Sequence, residues 1–226
     1  MKVTYYLEVI SSWCYWAEPA WAELKQRYAV RGVEFDWKIA LMREEDHPVS
    51  REQCDWFYRR SGMMMQSPFM LNSGWLEPWR PGLFPAASYV AEAGKDFGIT
   101  GDELRLALAH AADRDGIKVA SMGPAIEVAV TRLRQASAWQ EIDGAKLRAR
   151  AESPEVAARI KASTAEFYAH RIDQRPAFVL TDAIGDKAVF SGLVKAEPLA
   201  ATIEAMLADE AGYAAHKAHY GGPPKN

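Results

Sequence analysis

Ser11, Ser12, Trp13 and Cys14 put two hydroxyls and a thiol at a point where the sequence changes character. Before them, Val3 to Ile10 is rich in β-branched and aromatic residues and predicts a buried strand. After them, Trp16, Ala20, Trp21 and Leu24 recur at helical spacing. A turn between such elements holds its side chains at a helix N-terminus, where free N–H groups and the helix dipole favour an anion, a thiolate above all. The chemistry expected here is that of sulfur. The plainer alternative is that Ser11 and Ser12 only cap the helix.

The elements that must position this turn follow in order. Val33 to Leu41 predicts a second strand with Val33, Phe35, Trp37 and Ile39 on one face. Strand, helix and strand within 40 residues form a βαβ unit, so the two strands should run parallel. Met42 to Gly82 is irregular: a helix over Arg51 to Arg60, then Met63-Met64-Met65 and a loop rich in Pro, Gly and Trp ending near Pro85. Cys54, beside Trp56 and Phe57, reads as a small buried hydrophobe. From Phe84 to about Arg171 the pattern is helical. One helix runs from Ala86 to Phe97 and stops at Gly98. Thr100-Gly-Asp-Glu103 offers a capping box for Leu104 to Asp115. Pro124 to Ala138 and a long helix opened by Ser153-Pro154-Glu155 follow.

At Pro176 the period returns to two. Ala177 to Thr181 and Ala188 to Phe190 read as a β-hairpin around a Gly-containing turn, and Leu199 to Ala208 as a closing amphipathic helix. The final GGPPKN reads as a loose tail.

Composition bounds the function. With 226 residues, 49% hydrophobic and 25% charged, the chain is that of an ordinary globular protein. A net charge of −3 lacks the basic footprint of a nucleic-acid binder. No apolar run approaches a membrane span. The first strand begins almost at Met1, leaving no room for a signal peptide, so a reducing cytoplasm is expected. Two cysteines do not make a disulfide framework, and no metal-ligand spacing is evident among the five His residues, so no metal is expected. Eight Trp residues, seven of them before position 80, are in part core. Trp13, Met63 to Met65 and the Trp75 to Trp79 loop are candidates for the wall of a pocket for a flat apolar compound.

The order β-α-β, helical insertion, β-β-α, with Pro176 directly before its strand, resembles the thioredoxin topology with an inserted helical domain, as in DsbA-like proteins. The fold class expected is therefore α/β, a thioredoxin-like fold with an all-helical insertion. The division is 1–45 with 172–210 as the thioredoxin-like part, 46–171 as the insertion and 211–226 as a C-terminal tail. The run Glu8-Val9-Ile10-Ser11-Ser12-Trp13-Cys14-Tyr15 is similar to the D-x-x-C-P-W-C-Y of FrnE-type DsbA-like oxidoreductases. It is also similar to the D-x-x-S-P-Y-S of kappa-class glutathione transferases and 2-hydroxychromene-2-carboxylate isomerases. Ser12 stands in place of the usual Pro and Glu8 in place of Asp.

Two alignments of that motif are open. Cys14 can be the attacking cysteine of a CxxC whose second position is Ala17, or Ser11 can be the first position and Cys14 the fourth. The second is favoured. It removes the cysteine pair that a disulfide-forming enzyme cycles through. The resemblance then implies glutathione as a thiol cosubstrate beside the helix N-terminus, with Ser11 and Cys14 catalytic and Glu8 in support. Ser12, Trp13, Arg175 and Pro176 would bind thiol or substrate. Pro176 is expected to be cis, turning the backbone of Arg175 toward the nucleophile. Arg175 itself either clamps an acidic substrate or pairs with Asp173. The family's Ser-Asp or Asn-Asp pair after the last strand has no counterpart in Ser191-Gly192-Leu193-Val194-Lys195. The function this points to is a glutathione- or thiol-dependent transferase or isomerase acting on a small hydrophobic compound, with a homodimer left open. The rivals are a monothiol oxidoreductase using Cys14 and a non-catalytic thioredoxin-fold binding protein.

Overall fold

The computed structural model describes residues 1–135, 142–192 and 195–222. Strand β1 (Lys2–Leu7) is at the centre of a four-stranded sheet. Five of its six residues are buried, which is why VTYYL carries no polar alternation. Helix α1 (Ser12–Tyr28) crosses over to β2 (Glu34–Ile39), and β1 and β2 pair in parallel with Val3 opposite Phe35 and Tyr5 opposite Trp37. On the other side β3 (Ala177–Thr181) pairs antiparallel with β1, and β4 (Lys187–Ser191) closes the order β2-β1-β3-β4. Tyr5 stacks on its cross-strand partner Phe178 with ring centroids 4.8 Å apart, and Trp21 of α1 tilts against Tyr5 at 5.1 Å. The edge strand β4 alternates exposed and half-buried residues, as a sheet edge facing water should.

Between β2 and β3 lies the helical part: α2 (Arg51–Met64), α3 (Ala86–Gly94), α4 (Glu103–Asp113), α5 (Met122–Gln135), α6 (Gly144–Ala151) and α7 (Pro154–Ala169). All nine residues of α3 are buried, and α4, α5, α6 and α7 pack around it. Its small residues allow this close approach: a Cβ at Gly94 would run into the Leu104 side chain. The last helix, α8 (Ala196–Tyr220), packs on α1, where the Tyr28 hydroxyl donates to the Ala200 carbonyl at 3.3 Å.

Several expected boundaries move for identifiable reasons. β1 ends at Leu7 because Ser11 N donates to Glu8 O at 3.0 Å, closing a turn over Glu8 to Ile10. The capping box at Thr100 to Glu103 does not form. Asp102 precedes α4 without a capping bond, its carboxylate being held by Trp21, Lys25 and Arg105. Helix α2 runs four residues past Arg60, and α6 carried no strong signal in sequence. Helix α8 continues through Tyr220, so most of the expected tail from 211 is helical, although every residue of 211–220 is exposed. The end of the helix expected at Ala138 and the last residues of the tail, 223–226, lie outside the described residues.

Candidate active site

The turn after β1 is built from the main chain outward. Ser11 is extended (φ −84°, ψ 120°) and its carbonyl accepts the first helical bond, from Tyr15 N at 2.9 Å. Its hydroxyl makes no capping bond to the helix. The capping alternative is therefore not realised, and the interaction that the hydroxyl does make is with the Cys14 thiol. Ser11 is 9% exposed, while Ser12 and Trp13 are half-buried.

One turn behind, Cys14 is 2% exposed, and its Sγ accepts from Glu8 N at 3.5 Å. Burial pushes the thiol up to about 12. The Glu8 N–H, the Ser11 hydroxyl and the charge of Arg175 oppose that rise without overcoming it. Such a thiol stays protonated and packed near neutral pH. Glu8 is fully buried: its carboxylate accepts from Val9 N at 2.9 Å, from Met42 N at 3.3 Å and from the Ser88 hydroxyl. Burial raises it to about 7 against those bonds and the Arg175 charge.

The Arg175-Pro176 bond is cis, as is Phe84-Pro85. Arg175 lies near enough for its charge to favour the ionised forms of both Glu8 and Cys14. The Arg175 side chain is nevertheless spent. Its guanidinium donates to the carbonyls of Ala40 and Leu41, to the Asp173 carbonyl at 3.3 Å and to the Tyr168 hydroxyl at 2.9 Å, and it lies 4.6 Å from the Phe167 ring centre. It is not free to clamp a substrate, and what it meets at Asp173 is the carbonyl, not the carboxylate. Neither Arg175 nor Pro176 lines the cavity at the turn.

That cavity, about 150 Å³, is walled by Ser11, Ser12 and Trp13 on the α1 side, by Cys54, Phe57, Tyr58 and Arg60 of α2, and by Trp75. The expected methionine wall is absent. Met63 and Met64 are 80% and 69% exposed, because the extension of α2 carries them into solvent, and Trp79 lies elsewhere. Cys54 is buried, with its thiol pushed up to about 11 by burial. A larger hollow of about 750 Å³ between α8 and the β3–β4 turn holds none of the candidate residues. After β4, Ser191 donates to the Gln174 carbonyl at 3.3 Å and Lys195 is exposed at the start of α8, while Leu193 and Val194 lie outside the described residues. Among the described residues no group of three or more His, Cys, Asp or Glu is placed to hold a metal ion. No helix among them is long and apolar enough to cross a membrane.

Sequence reasoning missed a second buried acid. Asp113, at the end of α4, accepts from the Tyr58 hydroxyl at 2.9 Å and is raised by burial to about 8. Nothing in ELRLALAHAAD marks its last residue as buried; the signal lies in Tyr58 and Trp75, which reach it from other segments.

Glu8 and Asp113 together give stability a definite pH dependence. Both bind a proton more tightly folded than unfolded, where carboxyls titrate near about 4. Between those values the native state holds protons at these two carboxyls that the unfolded state has released. Their contribution to stability thus falls as pH rises from about 4 through about 8, against the opposite contribution of His47 and His170, whose pKa values burial lowers. The denaturation midpoint in urea should therefore be lower at the alkaline end of this range than at its acid end. A Glu8→Gln, Asp113→Asn double variant should flatten the profile. A midpoint that rises with pH across the range would contradict the assignment.

A βαβ unit with a hydroxyl-bearing turn at the head of its helix, a helical insertion, and an antiparallel pair entered through a cis proline together make the DsbA-like thioredoxin fold. Solved structures agree. A Nitrosomonas europaea protein provisionally described as a protein disulfide isomerase superposes with a TM-score of 0.72 at 16% identity, over 92% of this chain and 98% of that one. The cytosolic disulfide reductase DsbM from Pseudomonas aeruginosa gives 0.68 at 16% identity over 92% and 98%, and it has also been solved with GSH. A 2-hydroxychromene-2-carboxylate isomerase gives 0.50 at 16% identity over 99% and 100%. No protein-family model matches the sequence, and no curated protein matches it.

Proposed function

We propose that the protein is a glutathione- or other thiol-dependent transferase or isomerase acting on a small hydrophobic compound, with Ser11 as the residue that holds the thiolate. The observation that carries this reading is the Ser11 hydroxyl: unspent on capping, at the head of α1, and lining a cavity whose other residues include Trp13, Phe57 and Trp75. A thiol seated there meets the Ser11 O–H and the first N–H groups of the helix. One charge-assisted hydrogen bond is worth roughly 1.5–3 kcal/mol, or about one to two pKa units. That brings a thiol from about 8.5 to near neutrality. The thiolate then adds to the electrophilic carbon of a conjugated carbonyl compound, the C=C π pair moving onto the carbonyl oxygen. That enolate either takes a proton or expels the thiolate again, while Trp13, Phe57 and Trp75 offer an apolar wall. Glu8 and Cys14 support the turn from behind.

The DsbM structure with GSH and the isomerase structure lend support as proteins of the same fold; what each binds or does is its own. A thiol-dependent enzyme fits a reducing compartment such as the cytoplasm. The monothiol alternative is disfavoured because Cys14 is buried and its thiol sits at about 12.

Glutathione titrated into the full-length protein tests the reading by linkage. A ligand at about 100 times its Kd stabilises the native state by about 2.7 kcal/mol. A clear rise in Tm is expected. Failure of glutathione to raise it at any millimolar concentration would leave a binding protein for some other ligand.

A further inference from the structure

Tyr58 lines the cavity and is the middle member of a buried three-residue chain. Trp75 Nε1 donates to its hydroxyl at 2.6 Å, and that hydroxyl reaches Asp113 Oδ1 at 2.9 Å. Asp113 Oδ2 is buried without a hydrogen-bond partner among the described residues, and only burial and the Tyr58 hydroxyl act on Asp113 there, with no cation contributing. A carboxylate with one bare oxygen and no counter-charge is costly to keep ionised. Once neutral, Asp113 has Tyr58 Oη as the acceptor for its proton. The tyrosine oxygen then accepts two hydrogen bonds, from Trp75 and from Asp113, and its own O–H is freed to donate to a group bound in the cavity that Tyr58 lines. A hydroxyl polarised by two donors is a stronger donor in turn. A carboxylic acid kept neutral by apolar surroundings is a recognised way to hold an oxyanion.

We propose that Tyr58, backed by Trp75 and the acid form of Asp113, is an oxyanion-binding hydroxyl for the enolate- or phenolate-type oxygen of a substrate held in the cavity that Ser11 also lines. This rests on the thiol reading for the identity of the reaction and not for the binding of the oxyanion. Ser11 would serve the sulfur, and Tyr58 the oxygen on which charge collects. The substrate class follows: a small aromatic or conjugated carbonyl compound.

The titratable groups around Asp113 are Tyr58 and Cys54 on α2 and Tyr15 on α1, all neutral where it titrates and each raised by its charge, with Arg114 and Asp115 next to it in sequence. Cys54 titrates near 11 and Tyr58 well above the usual tyrosine range, so neither takes the proton of Asp113 near neutral pH. Arg60 and Asp46 line the cavity with opposite charges.

The test uses the full chain and a dinitrophenolate, which is coloured and ionised throughout the neutral range. Its affinity should fall as pH rises through about 8, where Asp113 ionises and draws the Tyr58 proton back. Tyr58→Phe should weaken binding about tenfold or more at the acid end of that range. Asp113→Asn, whose amide donates at every pH, should keep the affinity and lose the pH dependence, a result that a merely structural Asp113 would not give. Equal binding by wild type and Tyr58→Phe, no binding by wild type, or an Asp113→Asn profile that still falls through the same midpoint would each overturn the proposal. A Tm unmoved by glutathione, with dinitrophenolate behaving as described, would sink the thiol reading and leave this one standing.

Discussion

Replacing Arg105 by Met should destabilise the protein by about 3 kcal/mol or more, the largest effect expected of any single side chain outside the apolar core. Arg105 is 2% exposed and joins the two parts of the molecule: from α4 its guanidinium pairs with Glu18 of α1 and with Asp102 at 2.7 Å. Asp102 keeps Lys25 at 2.8 Å and the Trp21 indole at 3.1 Å when the arginine is lost. Glu18 keeps only a neutral donor, the Tyr5 hydroxyl at 3.2 Å, and burial already raises its pKa. The cost is that of a partly buried carboxylate left without its cation, which is why it exceeds what exposed pairs such as Arg148–Glu152 can contribute. Denaturant titration reads it directly. A loss no larger than that of Arg148→Ala would show that the cluster is held by packing and not by charge.

The second large effect separates the two residues of the turn. Ser11→Ala should lower the rate of a glutathione-dependent reaction by about 10–100-fold, the equivalent of the 1.5–3 kcal/mol that one charge-assisted bond supplies. Cys14→Ser should leave most of it, because the hydroxyl still accepts from Glu8 N and the thiol it replaces is buried and protonated. The opposite ranking, with activity surviving Ser11→Ala and vanishing in Cys14→Ser, would make Cys14 the nucleophile. Steady-state kinetics with glutathione and an aromatic electrophile distinguish the two.

Much of the fold was legible because period and punctuation agree along the chain. VTYYL and AFVLT are short apolar runs of strand type, Gly98 takes the left-handed φ of 79° that ends a helix, and Ser153 caps α7 by accepting from Val156 N. The turn was legible because four chemistry-bearing residues lie together in sequence. The opposite wall was not. Tyr58, Trp75 and Asp113 are 17 and 38 residues apart along the chain, and each alone reads as ordinary core. The role of Arg175 was open for the same reason, since its partners Ala40 and Leu41 lie some 135 positions away. Helix α8 outran its expected end because its amphipathic stripe stops near Ala208 while its alanine-rich sequence does not stop favouring helix.

The measurement that bears most directly on Ser11 is the ionisation of glutathione bound to the protein, followed by the ultraviolet absorbance of its thiolate during a pH titration. In the wild type the midpoint should lie about one to two units below the free thiol value of about 8.5, and in Ser11→Ala it should return most of the way. The same midpoint in both proteins, or a wild-type midpoint no lower than that of glutathione in water, would contradict the account.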